Sequence, residues 1–359
     1  MERRIENRQP AHILVLFLIV QFSGLLLLAY TSSSQVFQII NQSAPPPQQI
    51  GTTIVFVVSI IIYMVVAALV MLVILRFYHG NALFKAIETY VLGLPVFIVA
   101  SLVLSSAFPQ TNAVLTEGIS LLLAAGIVIL RNVRPRTMNF AVVCASIGLG
   151  IVIGLYGFLF AYLFMAVLAI YDYIAVFITK HMVALAKGLS EKNLAFLIGS
   201  YDTEIIPKGY LSGKERKEYM SQLQTSKNKD PMIQRLIAQG KLPATSAVAL
   251  GAGDLAVPLM LSVGLYMYTL SMFAAIVASA GAGVGLVATM YLLKRYKVAL
   301  PAIPPLFAFM NLALAVAIPI IRPGTYALSL FFFLVFALTI GILLLTLRRL
   351  EKKRLATVS

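Results

Sequence analysis

Residues 250–258 read LGAGDLAVP, so that one carboxylic acid, Asp254, lies between two glycines and a long apolar run. The nearest charged residues along the chain are Lys241 and Lys294, far to either side. A carboxylate in such surroundings is costly, because a charged group removed from water needs a partner or a function. The presence of Asp254 therefore predicts an unusual polar site inside an apolar structure.

The composition predicts a polytopic membrane protein of the all-α class. Of the 359 residues, 60% are hydrophobic and 11% are charged, and a single soluble core cannot bury so much apolar surface at this length. The run at 138–179 is too long for one crossing, so a break is predicted at Gly154–Gly157, where glycine tolerates a turn. The apolar runs predict ten transmembrane helices, at residues 11–30, 51–75, 89–107, 113–131, 138–155, 157–179, 246–268, 270–293, 299–320 and 325–347.

The positions of lysine and arginine predict the orientation. With the N-terminus in the cytoplasm, ten crossings place nearly all basic residues of the loops on the cytoplasmic side, and the opposite side receives only Arg322. Both termini are therefore predicted to be cytoplasmic, in the plasma membrane. The net charge of +15 is then a topology signal that also meets anionic lipid, and it does not indicate nucleic-acid binding.

The predicted organisation has four parts. Residues 1–179 form an N-terminal membrane half with six spans, and residues 180–245 form a hydrophilic cytoplasmic loop, solvated and partly helical or mobile. Residues 246–347 form a C-terminal membrane part, and residues 348–359 form a basic cytoplasmic tail. The segment 31–50 is predicted as a polar external loop with a stiff proline run at 45–47.

Two of the thirteen acidic residues fall deep inside predicted spans: Asp172 in AIYDYIAVF, and Asp254. Each lies about eight residues from the cytoplasmic end of its span, roughly 12 Å inside the same face at the rise of an α-helix. Two neighbouring antiparallel helices can therefore present these carboxyl groups to each other. The second Tyr-Asp pair, Tyr201–Asp202, lies in the hydrophilic loop and is predicted to be solvated without a role.

A pair of carboxyl groups close together in a low dielectric cannot easily ionise twice, so the pair holds a single proton near neutral pH. This is the state that an aspartic protease uses, with one group activating water and the other polarising the peptide carbonyl. The alternative is that the two aspartates pair with bases or cap broken helices. No lysine or arginine lies inside a predicted span to neutralise either of them.

Three motifs in this order resemble those of the presenilin and signal peptide peptidase family. They are Tyr171–Asp172, the Gly-x-Gly-Asp of 251–254, and Leu-Pro-Ala-Ile-Pro at 300–304. The resemblance implies the presenilin-type helix bundle and an intramembrane aspartic endopeptidase whose catalytic pair is Asp172 and Asp254. The residues that it implies for substrate binding or active-site shape are Tyr171, Gly251, Gly253, Leu255, Leu300, Pro301, Ala302 and Ile303. The size and lack of further domains are similar to archaeal members of that family.

Two features depart from the family pattern. The third motif reads Pro-Ala-Ile where the family usually has Pro-Ala-Leu, and the β-branched Ile303 could change the shape of the pocket. The family has nine spans, whereas residues 325–347 predict a tenth. The tenth span would move the C-terminus into the cytoplasm.

The alternatives are a proton-coupled transporter that uses the buried aspartates as proton carriers, and a prepilin-peptidase-like protease that shares the Gly-x-Gly-Asp chemistry. The Gly-x-Ser-x-Gly arrangement of a rhomboid-type serine protease is not present. The protease interpretation predicts transmembrane peptides or membrane proteins in the lipid bilayer as substrates and no nucleic acid, and the sequence does not imply an obligate partner subunit. It implies no cofactor, and the scattered His12, His79 and His181 predict no metal site.

Overall fold

The computed structural model describes residues 8–32, 34–43, 50–77, 80, 82–131, 135–179, 197–207, 241–296 and 300–356. Within these ranges the chain is predominantly helical, with one two-stranded sheet formed by β1 and β2. The elements in chain order are α1 (Arg8–Thr31), α2 (Gln35–Ser43), α3 (Ile50–Phe77), α4 (Ala82–Ala107), α5 (Ala113–Arg131), α6 (Pro135–Gly154), α7 (Phe158–Tyr173), a π-helical turn (Ile174–Ile178), β1 (Leu197–Pro207), β2 (Lys241–Gly251), α8 (Ala252–Thr269), α9 (Met272–Tyr296), α10 (Ile303–Ile321) and α11 (Tyr326–Ala356).

Each of the ten predicted spans coincides with a helix in the described part of the chain. Eight of these helices are long and apolar enough to cross a membrane, α11 among them, while α6 and α8 are shorter or less apolar. The predicted break is confirmed: α6 ends at Gly154 and α7 begins at Phe158. Gly157 turns the chain there with φ +95°, a conformation that side chains with a Cβ rarely adopt.

Three features of the described segments were not predicted. The segment predicted as an external loop contains a short helix, α2. Within 180–245 the structure describes only 197–207 and 241–245, which are extended in β1 and β2, and the segment 211–231 with its predicted helical or mobile character lies outside the described residues. The helix that carries Asp254 begins at Ala252 and not near 246, because the glycines at 251 and 253 weaken a helix and Val248 and Thr245 favour an extended chain.

The chain divides into two compact units, one of Met1–Ile13 and Gly199–Ala249, and the other of Leu14–Ile198 and Leu250–Ser359. The second unit contains both aspartates of the predicted pair. Several predicted features lie outside the described residues. They are the proline run at 45–47, the basic residues of 180–196 and 208–240, and the two chain ends.

Close helix packing in the second unit centres on α8 and α10. Helix α8 packs against α6, α7 and α9, and α10 packs against α7, α9 and α11. Glycines permit close approaches: a Cβ on Gly154 would lie 2.6 Å from Val263, and one on Gly281 would lie 2.6 Å from Ala313. The aspartate of α7 is thereby held among the first turns of α8 and α10.

Candidate active site

Asp172 lies near the C-terminal end of α7, where its side chain is only 9% exposed. Its Oδ2 accepts a hydrogen bond of 3.2 Å from the backbone N–H of Ile303. The carboxylate therefore faces the N-terminus of α10. The partial positive charge at a helix N-terminus stabilises such an anion.

The sequence at the start of α10 explains why the backbone N–H of Ile303 is available to Asp172. The first residues of any helix have N–H groups without an intrahelical acceptor. In α10, Pro304 and Pro305 directly follow Ile303 and have no N–H. Leu306 donates to the carbonyl of Ala302, so among the first three residues of α10 only Ile303 has an N–H to donate to another element. Leu300–Ala302, which precede α10, are not helical.

Asp254 is the third residue of α8, and its Oδ2 accepts a hydrogen bond of 3.3 Å from the N–H of Gly251. Its side chain is half-buried. The sequence predicted Asp254 about eight residues inside its helix. The structure places it in the first turn of α8, which directly follows the strand β2. The anion is therefore again next to a helix N-terminus, this time that of its own helix.

The two aspartates lie on helices that pack against each other, Asp172 near the end of α7 and Asp254 in the first turn of α8. Each group also makes a capping hydrogen bond, as the alternative reading of these residues expected. A carboxylate has about four acceptor positions, so capping leaves each able to accept a hydrogen bond from water.

The other predicted site residues differ in how far they are buried. Leu255 is fully buried and Pro301 is buried. Gly253 is exposed, and no described atom lies within 4 Å of the position its Cβ would take. No other described helix approaches Gly253, and this side of Asp254 is open within the described part of the chain. Half-buried positions are occupied by Tyr171, Gly251, Leu300 and Ala302, while Ile303 is buried.

A cavity of about 470 Å³ lies between α7, α10 and α11. Its apolar walls include Ile170 and Phe307, and it reaches Tyr173 and Pro304, the neighbours of Asp172 and Ile303. The hydroxyl groups of Tyr173 and Thr346 form a hydrogen bond of 2.6 Å that joins α7 to α11. Among the described residues, no group of three or more His, Cys, Asp or Glu side chains could hold a metal ion.

A sequence model of the family described as "Signal-peptide peptidase, presenilin aspartyl protease" matches residues 14–314. The chain belongs to this family. It is a presenilin-type intramembrane aspartyl protease and an integral, multi-pass membrane protein. The match includes all three motifs and ends before α11, so the last helix lies outside the family's common region.

Two solved structures, each described as a presenilin family intramembrane aspartate protease, in the C222 and the P2 space group, share the fold. The match to the first has 18% sequence identity and a TM-score of 0.51, and it covers 85% of this chain and 94% of the solved chain. The match to the second has 19% sequence identity and a TM-score of 0.54, and it covers 86% of this chain and 97% of the solved chain. A comparison with curated proteins found no match.

The sequence did not single out several groups that touch the site of this presenilin-type protease. Gln21 of α1 and Ser146 of α6 donate to backbone carbonyls in the first turn of α8. A polar residue inside an apolar span was the available signal for each. The π-helical turn that follows Asp172 and Tyr173 is a feature that often marks functional sites, but its sequence, IAVFI, is that of an ordinary apolar helix.

Proposed function

We propose that Asp172 and Asp254 are the catalytic pair and that the enzyme hydrolyses peptide bonds within transmembrane segments or signal peptides. The observation that supports this proposal is that α7, which carries the buried Asp172, packs against α8, which carries Asp254 in its first turn. A capping role alone does not require the two acids to lie on neighbouring helices, because each accepts its own backbone hydrogen bond. Two acids that share one proton supply both a base and an acid.

In the proposed reaction, one water molecule is bound between the two carboxyl groups. The ionised carboxylate accepts a proton from this water while the water oxygen attacks the peptide carbonyl carbon, and the protonated carboxyl gives its proton to the carbonyl oxygen, which forms a neutral gem-diol. The gem-diol then collapses: the carboxyl that took the proton from water donates it to the leaving nitrogen, the C–N bond breaks, and a gem-diol hydroxyl returns a proton to the other carboxylate. We assign the shared proton to the pair and not to either residue.

The 300–303 segment is proposed to hold the substrate backbone beside this pair. Leu300–Ala302 are irregular, and backbone of this kind can pair with an extended peptide through main-chain hydrogen bonds. A helical substrate must unwind before its peptide bond is reachable, so an extended partner segment would stabilise the unwound form. Tyr171, Leu255 and Gly253 are proposed to shape the space around the bond that is cut.

The test is cleavage of a labelled transmembrane peptide by the purified enzyme in detergent or lipid vesicles. Asp172→Asn and Asp254→Asn, measured separately, are each expected to abolish cleavage, since each removes one half of the acid–base pair. Asp202→Asn is the matched control, because it changes the second Tyr-Asp pair of the sequence, and it is expected to retain activity. Wild-type cleavage by either of the first two variants would refute the assignment.

A second measurement separates a protease from a proton-coupled transporter. A peptide isostere with a hydroxyl group in place of the scissile carbonyl mimics the gem-diol, so it is expected to inhibit cleavage and to bind more tightly than the substrate. Binding should be lost in both aspartate variants. A protein that moves protons across vesicle membranes and neither cuts the peptide nor binds the isostere would support the transporter instead.

A further inference from the structure

The turn that carries Asp254 is weakly held by its own helix. It contains Gly253 and follows Gly251, and glycine is the least restrained residue on the backbone. The N–H groups of a first helical turn have no intrahelical acceptors. Residue 258 is proline, so the carbonyl of Asp254 lacks the donor that would normally come from four residues later. Apart from the capping bond from the N–H of Gly251, the position of Asp254 therefore depends on contacts from other helices.

Two such contacts are present, from two different helices. The Nε2 group of Gln21 on α1 donates a hydrogen bond of 2.9 Å to the carbonyl oxygen of Leu255. The Oγ of Ser146 on α6 donates one of 3.2 Å to the carbonyl oxygen of Ala252. The two accepting residues lie on either side of Asp254, so the two donors hold the turn at both of its ends.

Glycines let α1 and α6 approach closely enough for these bonds. A Cβ on Gly150, one turn after Ser146, would lie 3.0 Å from the carbonyl oxygen of Ala256. A Cβ on Gly24, close to Gln21 on α1, would overlap the side chain of Leu259. The bond of Ser146 is therefore part of the close packing of α6 on α8, and the bond of Gln21 lies beside the approach of Gly24 to Leu259.

Gln21 is a poor choice for stability alone. Its side chain is fully buried, at 0% exposure, and its Oε1 has no hydrogen-bond partner in the described part of the chain. A buried acceptor left without a donor is unfavourable, and an apolar side chain of similar size would avoid this cost. The retained amide is consistent with a role in the position of α8.

We infer that Gln21, together with Ser146, is a positioning residue that holds the first turn of α8 so that Asp254 faces Asp172. The inference rests on the proposed function, because it assigns a role relative to the catalytic pair. Neither side chain contacts a carboxyl group itself in the described structure; both act through the backbone of Ala252 and Leu255. Loss of this hold displaces Asp254 and slows the chemical step without removing any reacting group.

Gln21→Leu is the principal test, with kcat, KM and thermal stability measured on the transmembrane peptide. The expected result is a kcat reduced by about 10- to 100-fold, as for a small misplacement of a reacting group, with KM little changed and a Tm at or above that of the wild type. Gln21→Glu should recover part of the loss, because a carboxylic acid buried away from water stays protonated and keeps a donor of the same length. Ser146→Ala should lower kcat in the same way.

Ser279→Ala is the matched control. Ser279 on α9 donates to the hydroxyl of Ser262, two turns beyond Asp254 on the same helix, and both are fully buried. The substitution Ser279→Ala therefore removes a buried hydrogen bond to α8 that lies away from the turn carrying Asp254. The control is expected to lower the Tm and to leave kcat near the wild-type value, the reverse of the pattern for Gln21→Leu.

Wild-type kcat in Gln21→Leu would overturn the inference. So would equal kcat losses in Gln21→Leu and Ser279→Ala. If Gln21→Leu does not accumulate as folded protein, Gln21→Glu and Ser146→Ala decide the matter, and wild-type kcat in both overturns it. Failure of the proposed function gives a different result, since Asp254→Asn would then cleave like the wild type. The positioning role fails alone when Asp254→Asn is inactive and these variants are fully active.

Discussion

The carboxylate of Asp172 and the backbone amide of Ile303 are joined by a hydrogen bond of 3.2 Å between α7 and the start of α10. The bond links the first motif of the sequence to the third, although 131 residues separate them. It gives the Pro-Ala-Ile segment a local role in addition to any contact with substrate. The two prolines after Ile303 concentrate this role on one amide, because they have none of their own.

Ile303→Pro removes the donor at the first position of α10, where proline is favoured. Ala302 has helical dihedral angles, which a following proline disfavours, so the variant is expected to fold with a lower Tm than the wild type. Loss of a backbone donor to a reacting group is expected to lower kcat by about 10- to 100-fold, somewhat less than the effect of removing a donor to a transition-state oxyanion. Cleavage of the transmembrane peptide and thermal unfolding measure the two effects.

Ile303→Leu is the control for this change. It restores the Pro-Ala-Leu usual in the family and keeps the N–H that Asp172 uses, so kcat should remain within about twofold of the wild type, as for a volume-conserving swap. A loss in Ile303→Leu as large as that in Ile303→Pro would show that the side chain matters and the amide does not.

Gly253→Ala tests whether substrate uses the open side of Asp254. No described atom lies within 4 Å of the new methyl group, and alanine favours a helix over glycine by about 1 kcal/mol. The folded enzyme should therefore be as stable as the wild type or more so. Cleavage should nevertheless fall, mainly through a higher KM, because the methyl group occupies space proposed for the substrate backbone.

The matched control is Gly341→Ala in α11, where the added Cβ also meets no described atom. It lies far along the chain from the motif residues and is expected to leave KM unchanged. If Gly253→Ala cleaves with wild-type KM and kcat, the open side of Asp254 is not the substrate side.

The sequence was sufficient for the features that depend on composition and special residues. Ten helices, the break at Gly154–Phe158 and the irregular start of α10 all follow from apolar length, glycine and proline. The start of α8 could not be located, because 246–251 is as apolar as a helix and becomes extended only as part of a strand pair. Contacts such as Gln21 to Leu255 depend on which helices pack together, which no local pattern specifies.

The bond between Tyr173 and Thr346 predicts energetic coupling between α7 and α11. Such bonds between membrane helices average about 0.6 kcal/mol. A double-mutant cycle with Tyr173→Phe, Thr346→Val and the combined variant should give a coupling of about this size in reversible unfolding. Each single change also removes the hydrogen bond of Tyr173, which lines the cavity beside Asp172. Strictly additive effects on the free energy of unfolding would show that the bond contributes nothing.

Helix α11 predicts where the C-terminus lies, and this follows from the orientation that we propose for the whole protein. A reporter fused after Ser359 should be cytoplasmic, because α11 is long enough to cross the bilayer and its end carries a run of basic residues, which favours the cytoplasmic side.

A reporter fused instead after Gly324, between α10 and α11, should be external. There the neighbouring Arg322 has its guanidinium 4.8 Å from the ring centre of Tyr268 and donates to its hydroxyl, an arrangement suited to an interface where tyrosine and arginine anchor helix ends. The same side for both reporters would mean that α11 does not cross the membrane, and opposite sides in the reverse sense would invert the orientation of all ten helices.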